Sequence, residues 1–354
     1  MKDISNITID TEITLLQALQ KMDSTERKLL LVLSGRKFIG LVSIGDIQRC
    51  ILKKISLDTP VKEILRNDIL VAKTTDNKKL ILEKMKKERI EFMPVVDEDA
   101  NLVDVLFWED HFGNKRLTSG VNLNLPVVIM AGGEGTRLKP LTNIIPKPLI
   151  PIDDKTIVED IMERFIAVGC NDFTLSVNYK ADRIKEYFEK ILDKNYTVSY
   201  IQEDKPLGTA GSLYLLKDKL KNTFFVSNCD ILVDVNLKDL LDYHKKNNNV
   251  ITVVSVLKNY KIPYGTIETA ENGLLLALNE KPDVVYQINS GLYILEPQIF
   301  DYMHDGEFLH ITDLMMHIIA DNKRVGVFPV SDGAWIDMGN WQEYLRLLKS
   351  SGAL

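Results

Sequence analysis

The chain has 354 residues, 45% hydrophobic and 27% charged, with 44 Lys and Arg against 50 Asp and Glu for a net charge of −6. That length is about twice a typical domain, and the composition excludes disordered, collagenous and disulfide-scaffold chains. The acidic balance counts against a dedicated nucleic-acid binder, so any phosphate must be held locally. Cys50, Cys170 and Cys229 match neither a disulfide framework nor a zinc-ligand spacing. With a polar start and no apolar run near the ~18 residues of a membrane span, the expectation is a cytoplasmic protein without nucleic-acid or membrane partners.

Residues 1–120 hold 20 basic and 19 acidic side chains, the remainder 24 and 31. The first part contains an internal repeat at an offset of about 63 to 64 residues. Leu16, Leu19 and Met22 recur as Leu82 and Met85, and the strand-like run 29–33 recurs as 92–96. Gly40-Leu-Val-Ser-Ile-Gly-Asp46 recurs as Asp104-Val-Leu-Phe-Trp-Glu-Asp110. Each copy reads helix, strand, turn, strand, helix. Neither buries its sheet face alone, so an α+β pseudo-symmetric pair is expected, residues 1–57 with 58–118. On these residues the half resembles a tandem cystathionine-β-synthase (CBS) domain pair. The resemblance implies that Ser43 and Asp46 hold the ribose of a regulatory adenine nucleotide. The second copy has Phe107 where that hydroxyl would stand, so at most one full ribose site is implied. The alternative reading is that Asp46 and Asp110 only begin surface helices as caps, with the pair serving homo-oligomer contacts.

The polar, aperiodic stretch 114–124 places a boundary near residue 120, and 125–130 reads as a buried strand of the parallel type. Over residues 125–350, apolar runs at 173–177, 224–226 and 250–256 alternate with helical patterns at 157–168, 181–192 and 237–246. Such alternation predicts an α/β domain with a mostly parallel sheet, Rossmann-like, binding ligands beyond the carboxyl ends of its strands. His310 and His317 would share a helix face, but with no carboxylate or cysteine pattern beside them they read as structural.

Immediately after the first of these strands stands Ala131-Gly-Gly-Glu-Gly-Thr-Arg-Leu-Lys-Pro-Leu-Thr142, closed by Pro146-Lys-Pro148. Glycines let backbone approach phosphate oxygens and present successive N–H groups, while Arg137 and Lys147 add charge. The run is a polyphosphate cradle. It lacks the Gly-Lys-Ser/Thr of a P-loop, and Leu138 stands where a dinucleotide fingerprint needs a small residue, so ordinary kinase and dehydrogenase readings fail on spacing.

The whole string resembles the signature of sugar-1-phosphate nucleotidylyltransferases, and the likeness continues in order through residues 125–345. It implies a GT-A-like fold whose cradle, Ala131, Gly132, Gly133, Gly135 and Thr136, binds the nucleoside triphosphate. Gln202 would contact the base, with Gly208 and Thr209 beside it. Gly265, Glu280, Asn289, Gly291 and Trp335 would hold the sugar 1-phosphate, although Trp335 reads equally well as core. Arg137, Lys147, Asp230, Lys281 and Asp337 would carry catalysis, with Asp230 and Asp337 as the Mg²⁺ ligands. Cys229 occupies a position where relatives often have Gly. Leu207-Gly-Thr-Ala-Gly211 is similar to the guanylyl-transferring branch, which implies GMP transfer from GTP. The tandem architecture is similar to the bacterial glucosamine-1-phosphate guanylyltransferases of legionaminic-acid synthesis, with mannose 1-phosphate the second sugar.

Chemistry makes the roles reasonable. A sugar-phosphate oxygen attacks the α-phosphorus in line while pyrophosphate leaves, so two anions must be joined and no protein nucleophile is needed. Two rivals stand beside this reading. A GT-A glycosyltransferase would hold its metal with Asp-x-Asp, where this chain has Asn228-Cys229-Asp230. An adenylate-sensing interaction protein would have lost its transferase residues, which here are intact.

Overall fold

The computed structural model describes residues 4–66, 69–88, 90, 92–112, 121–152, 154–192 and 194–351. Of the boundary stretch, residues 114–120 lie outside the described residues. The chain divides into two compact units, Met1–Ser119 and Gly120–Leu354.

The first unit shows the repeat. Its first copy runs β1 (Thr8–Asp10), α1 (Leu15–Ser24), β2 (Leu29–Ser34), β3 (Lys37–Ser43) and α2 (Ile44–Leu52). The second runs β4 (Ala72–Lys73), α3 (Lys78–Glu88), β5 (Phe92–Val96), β6 (Leu102–Phe107) and α4 (Trp108–Phe112). Both copies make a three-stranded sheet in the order first, second, third strand, the outer pair being one parallel and one antiparallel neighbour. Even the irregularity repeats: the antiparallel register shifts between Val32 and Leu33 in one copy and between Val95 and Val96 in the other. The short leading strands β1 and β4 carry too little pattern to be read from sequence. The hairpin turns join the copies, with Phe38 N donating to Ala100 O (2.9 Å) and Leu102 N to Arg36 O (3.0 Å).

Ser43 and Asp46 are committed to each other. Ser43 is the N-cap of α2 in a reciprocal capping box. Its hydroxyl and amide donate to Asp46 Oδ2 at 2.6 and 2.9 Å, while Oδ1 is held by Arg66 Nε (2.7 Å) and paired with Arg49. A ribose there would have to displace these donors. Burial acts to raise the Asp46 carboxyl, but the Ser43 and Arg66 hydrogen bonds outweigh it and hold the group below its ordinary 3.8.

The second unit contains β7 (Val127–Met130), β8 (Pro151–Ile152), β9 (Lys155–Thr156), α5 (Ile157–Ile166), β10 (Asp172–Val177), α6 (Ala181–Glu189), β11 (Thr197–Gln202), β12 (Phe224–Asn228) and β13 (Ile231–Val233). It continues with α7 (Leu237–Lys246), β14 (Ile251–Lys261), β15 (Thr266–Thr269), β16 (Leu275–Asn279), β17 (Asp283–Leu295), α8 (Ile311–Ala320), β18 (Val325–Ser331), β19 (Trp335–Asp337) and α9 (Trp341–Ser351). Seven strands form one sheet, ordered β11-β10-β7-β12-β17-β14-β18. Only β17 pairs antiparallel with its neighbours, so the sheet is mostly parallel, as the alternating pattern predicts.

Strand alternation splits the apolar side chains between two cores. Val127, Ile129, Phe225, Val254 and Ile294 face the layer of α5, α6 and α7. Val128, Val226, Val253 and Leu295 face α8 and the short 3₁₀ turns. Helices start where the caps dictate: Thr156 accepts from Glu159 N in a capping box on α5, and Asn236 accepts from Lys238 and Asp239 on α7. His310 is the residue before α8, and both it and His317 are exposed, so neither serves the core.

Asp46→Ala should weaken the first unit by about 1–3 kcal/mol at neutral pH through loss of the box and the charged hydrogen bonds. Because the folded-state carboxyl titrates lower than the unfolded one, this contribution is complete above 3.8 and fades as pH falls through the folded value. Scanning calorimetry of wild type and variant at pH 7 and pH 3 should show the gap closing in acid.

Candidate active site

The parallel strands β7, β10, β11 and β12 end on one edge of the sheet, and the Gly-rich loop leaves that edge directly from β7. Ala131 N donates to Ser176 O (2.8 Å), anchoring the loop beside β10. A single 3₁₀ turn, Thr136–Leu138, buries Leu138 and leaves Arg137 exposed. The following turn is fixed from two sides. The Thr142 hydroxyl donates to Gly135 O (2.9 Å), and Lys180 Nζ donates to the carbonyls of Thr142 and Asn143 at 3.0 and 2.5 Å. From here the chain delivers Lys147 to the end of β12.

Lys147 and Asp230 form a buried ion pair, 83 residues apart in the chain. Pairing of β13 with β19 sets Ile231 opposite Asp337, and Met338 N donates to Asp230 O (2.8 Å). The two carboxylates therefore share one corner, closed by Gly339. A methyl group on Gly339 would lie 2.7 Å from Asp337 Oδ1 and 2.9 Å from both Arg137 Nη2 and Asp230 Oδ2. Only glycine lets these three charged groups approach one point.

The cleft beside this corner has a volume of about 220 Å³ and is walled by Arg137, Asp230 and Asp337 with Asn228, Asn289, Ser290, Gly291, Tyr293, Ile231 and Trp335. Gly291 N donates to Asn289 Oδ1 (3.0 Å), and Trp335 Nε1 donates to Ser290 O (3.1 Å), which turns the indole into a wall. Six expected residues, Arg137, Asp230, Asn289, Gly291, Trp335 and Asp337, thus meet at the cleft, and Lys147 reaches it through Asp230. Cys229 is buried next to them. Burial, reinforced by the Asp230 charge, pushes its thiol up to about 12, so it stays a neutral small residue.

Other expected residues stand elsewhere on the same edge. Gln202 ends β11, two strands or about 10 Å from β7, and its side-chain oxygen accepts from Lys185 Nζ (2.8 Å). Gly208, at φ +80°, packs against the Leu309 backbone, where a methyl group would sit 2.5 Å from Leu309 O. The Thr209 hydroxyl accepts from Ile311 N (2.9 Å), a structural engagement. Gly265 and Glu280 face each other at the base of the β15–β16 hairpin; these two and Lys281 are not among the cleft walls.

Sequence reasoning passed over Gly339, Asn228 and Glu203. Glu203 is buried, accepts from Ser176 Oγ (2.9 Å) and Leu207 N (3.0 Å), and lies against Gly132. Its position next to Gln202 was the available signal. Among the described residues no three His, Cys, Asp or Glu side chains gather as a metal cage. Two neighbouring carboxylates fit an ion that takes its remaining ligands from phosphate oxygens and water, as Mg²⁺ does.

The sequence pattern of the nucleotidyl transferase family matches residues 126–351. The chain belongs to that family. A CBS domain pattern matches residues 1–53. The chain is 34% identical over 226 residues to the mannose-1-phosphate guanyltransferase of Kluyveromyces lactis and 34% identical over 227 residues to that of Saccharomyces cerevisiae, covering 62% of each chain in both cases. It thus spans about 62% of the length of these curated relatives. Among solved structures, HddC from Yersinia pseudotuberculosis is 27% identical with a TM-score of 0.50, covering 64% of this chain and 99% of that one. A putative glucose-1-phosphate thymidylyltransferase from Bacillus anthracis, 18% identical, shares the fold with a TM-score of 0.52 over 65% of this chain and 96% of its own.

Lys147→Met strands a buried carboxylate and should destabilise the second unit by about 3–5 kcal/mol, whereas adding Asp230→Leu should restore most of that loss. Denaturant titration of the single and double variants measures both.

Proposed function

We propose that this chain transfers a nucleoside monophosphate, GMP from GTP, to a sugar 1-phosphate, releasing pyrophosphate. The observation that carries the reading is the convergence of Arg137, Asp230 and Asp337 at Gly339, with Lys147 bound to Asp230, beside a Gly-rich loop at the carboxyl edge of the sheet. Two cations and two carboxylates in one corner suit a reaction that brings two phosphates together.

The sugar-phosphate oxygen forms the new bond to the α-phosphorus as the α–β bridging bond breaks, and the electron pair leaves on pyrophosphate. Arg137 and Lys147 take up the charge that develops on the departing group. Asp230 and Asp337 would hold Mg²⁺, which when bound supplies positive charge at the phosphates. Asn289, Gly291 and Trp335 orient the sugar from the cleft wall, while Glu280 and Lys281 approach from the hairpin base. Gln202 and Gly208 face the base. The sugar proposed first from sequence is glucosamine 1-phosphate. The relatives' names favour mannose 1-phosphate, and both belong in the test. The CBS half is proposed to regulate the enzyme through an adenine nucleotide at Ser43 and Asp46 or, binding none, to serve only in its assembly.

Purified full-length protein with each nucleoside triphosphate, Mg²⁺ and a panel of sugar 1-phosphates should release pyrophosphate only when GTP and one hexose 1-phosphate are both present. No release with any pair would sink the transferase reading and favour an interaction protein. Asp230→Asn and Asp337→Asn should each lower kcat at least 100-fold with melting temperature retained for Asp337→Asn; near-normal turnover would remove that residue from the metal role. Gly339→Ala should lower kcat by a similar factor, since a methyl group separates the charged partners.

A further inference from the structure

A helical turn leaves its last carbonyls without partners inside the turn. The 3₁₀ turn Leu141–Asn143, which closes the Gly-rich loop, ends in this way, and the segment between β10 and α6 supplies the donors. Lys180 Nζ donates to Thr142 O and Asn143 O, Tyr179 Oη donates to Thr142 O (3.4 Å), and Arg183 Nη1, one turn further on, donates to Ile144 O (2.5 Å). The same segment holds the other end of the cradle, where Tyr179 N donates to Gly132 O (3.4 Å). The cradle therefore hangs between two attachments to one short stretch of chain. Lys180 stands there in a left-handed conformation, φ +54° and ψ +36°. For any residue but glycine that conformation is costly, and it persists where the surroundings impose it.

Thr142 carries the hold inward. It is fully buried, its hydroxyl donates to Gly135 O (2.9 Å), and its Cγ2 lies 2.8 Å from where a Cβ on Gly135 would stand, with Lys147 Cβ 3.2 Å from the same point. Gly135 in turn begins the turn that presents Arg137. Fixing Thr142 thus fixes the backbone under both cations of the site. We infer that Lys180 is a positioning residue for the nucleoside triphosphate, acting through Thr142 to keep the cradle in its binding shape before the ligand arrives, so that binding does not have to order it. The inference rests on the transferase reading and adds to it a residue that is not among the cleft walls.

Backbone and ammonium can be separated at this position, because glycine adopts a positive φ without strain. Lys180→Met keeps the strain and loses the cation, Lys180→Gly loses both, and Lys180→Arg keeps both. Steady-state kinetics use the full-length protein with Mg²⁺, a hexose 1-phosphate, and GTP or whichever nucleoside triphosphate the wild type accepts. The KM for the triphosphate should rise roughly 10- to 100-fold in both Lys180→Met and Lys180→Gly, with the KM for the sugar phosphate within about 2-fold of wild type. Lys180→Arg should restore most of the loss. Melting temperature should rank differently, with Lys180→Gly above Lys180→Met. A triphosphate KM that follows melting temperature and spares Lys180→Gly overturns the inference, as does an equal rise for both substrates, since a merely structural contact does either. Active wild type with both variants unchanged overturns it and leaves the transferase reading standing. Wild type inactive with every triphosphate and sugar phosphate sinks that reading and this inference together.

Discussion

The site depends on one buried ion pair. Removing Lys147 and Asp230 from water costs several kcal/mol per ion, and only close pairing offsets it. The Pro146-Lys-Pro148 turn and the end of β12 must therefore meet, and with them the Gly-rich loop and the β13–β19 pair are placed. The pair that organises the cleft also places the Lys147 ammonium, the cation that the proposed transfer would use, against the Asp230 carboxylate.

Much of this was legible in the chain. The repeat offset recovers the helix, strand, strand, helix core of both copies of the first unit, while the short leading strands β1 and β4 and the shared register shift emerge only in the structure. In the second unit β7, β10, β12, β14 and helices α5, α6 and α7 follow from period and the cradle from its glycines, whereas β11, β17 and β18 of the same sheet are not read from the sequence. Its boundaries shift by a few residues, α6 ending at Glu189 and β14 running on to Lys261, since caps and long-range pairing decide where elements stop.

What stayed hidden required partners distant in sequence. Nothing local says that β13 pairs with β19, yet that pairing brings Asp337 to Asp230 and gives Gly339 its role. Gly208 and Thr209, which the resemblance offers as nucleotide contacts, are also tied to the segment leading into α8, a contact between distant parts of the chain that no local motif announces. Asp46 shows the reverse: the residues that resemble a ribose clamp satisfy one another, and both the cap and the clamp readings start from the same Ser-x-x-Asp spacing.

The position of β17 governs how the sheet can be assembled. β7, β10, β11 and β12 all precede it, yet β12 has no second neighbour until the Leu292–Leu295 end of β17 is made, about 64 to 67 residues after β12 ends at Asn228. At ~5–20 residues per second of synthesis, the edge of β12 stays unpaired for several seconds. Until then the backbone edge of β12 that later pairs with β17 has no partner strand, and an unpaired edge is the part of a sheet that most readily pairs with another chain. Because β17 inserts in the middle of the sheet, between β12 and β14, it joins the strands made before it to the β14–β18 side, and the cleft walls at Asn289, Ser290 and Gly291 are carried on that joining strand.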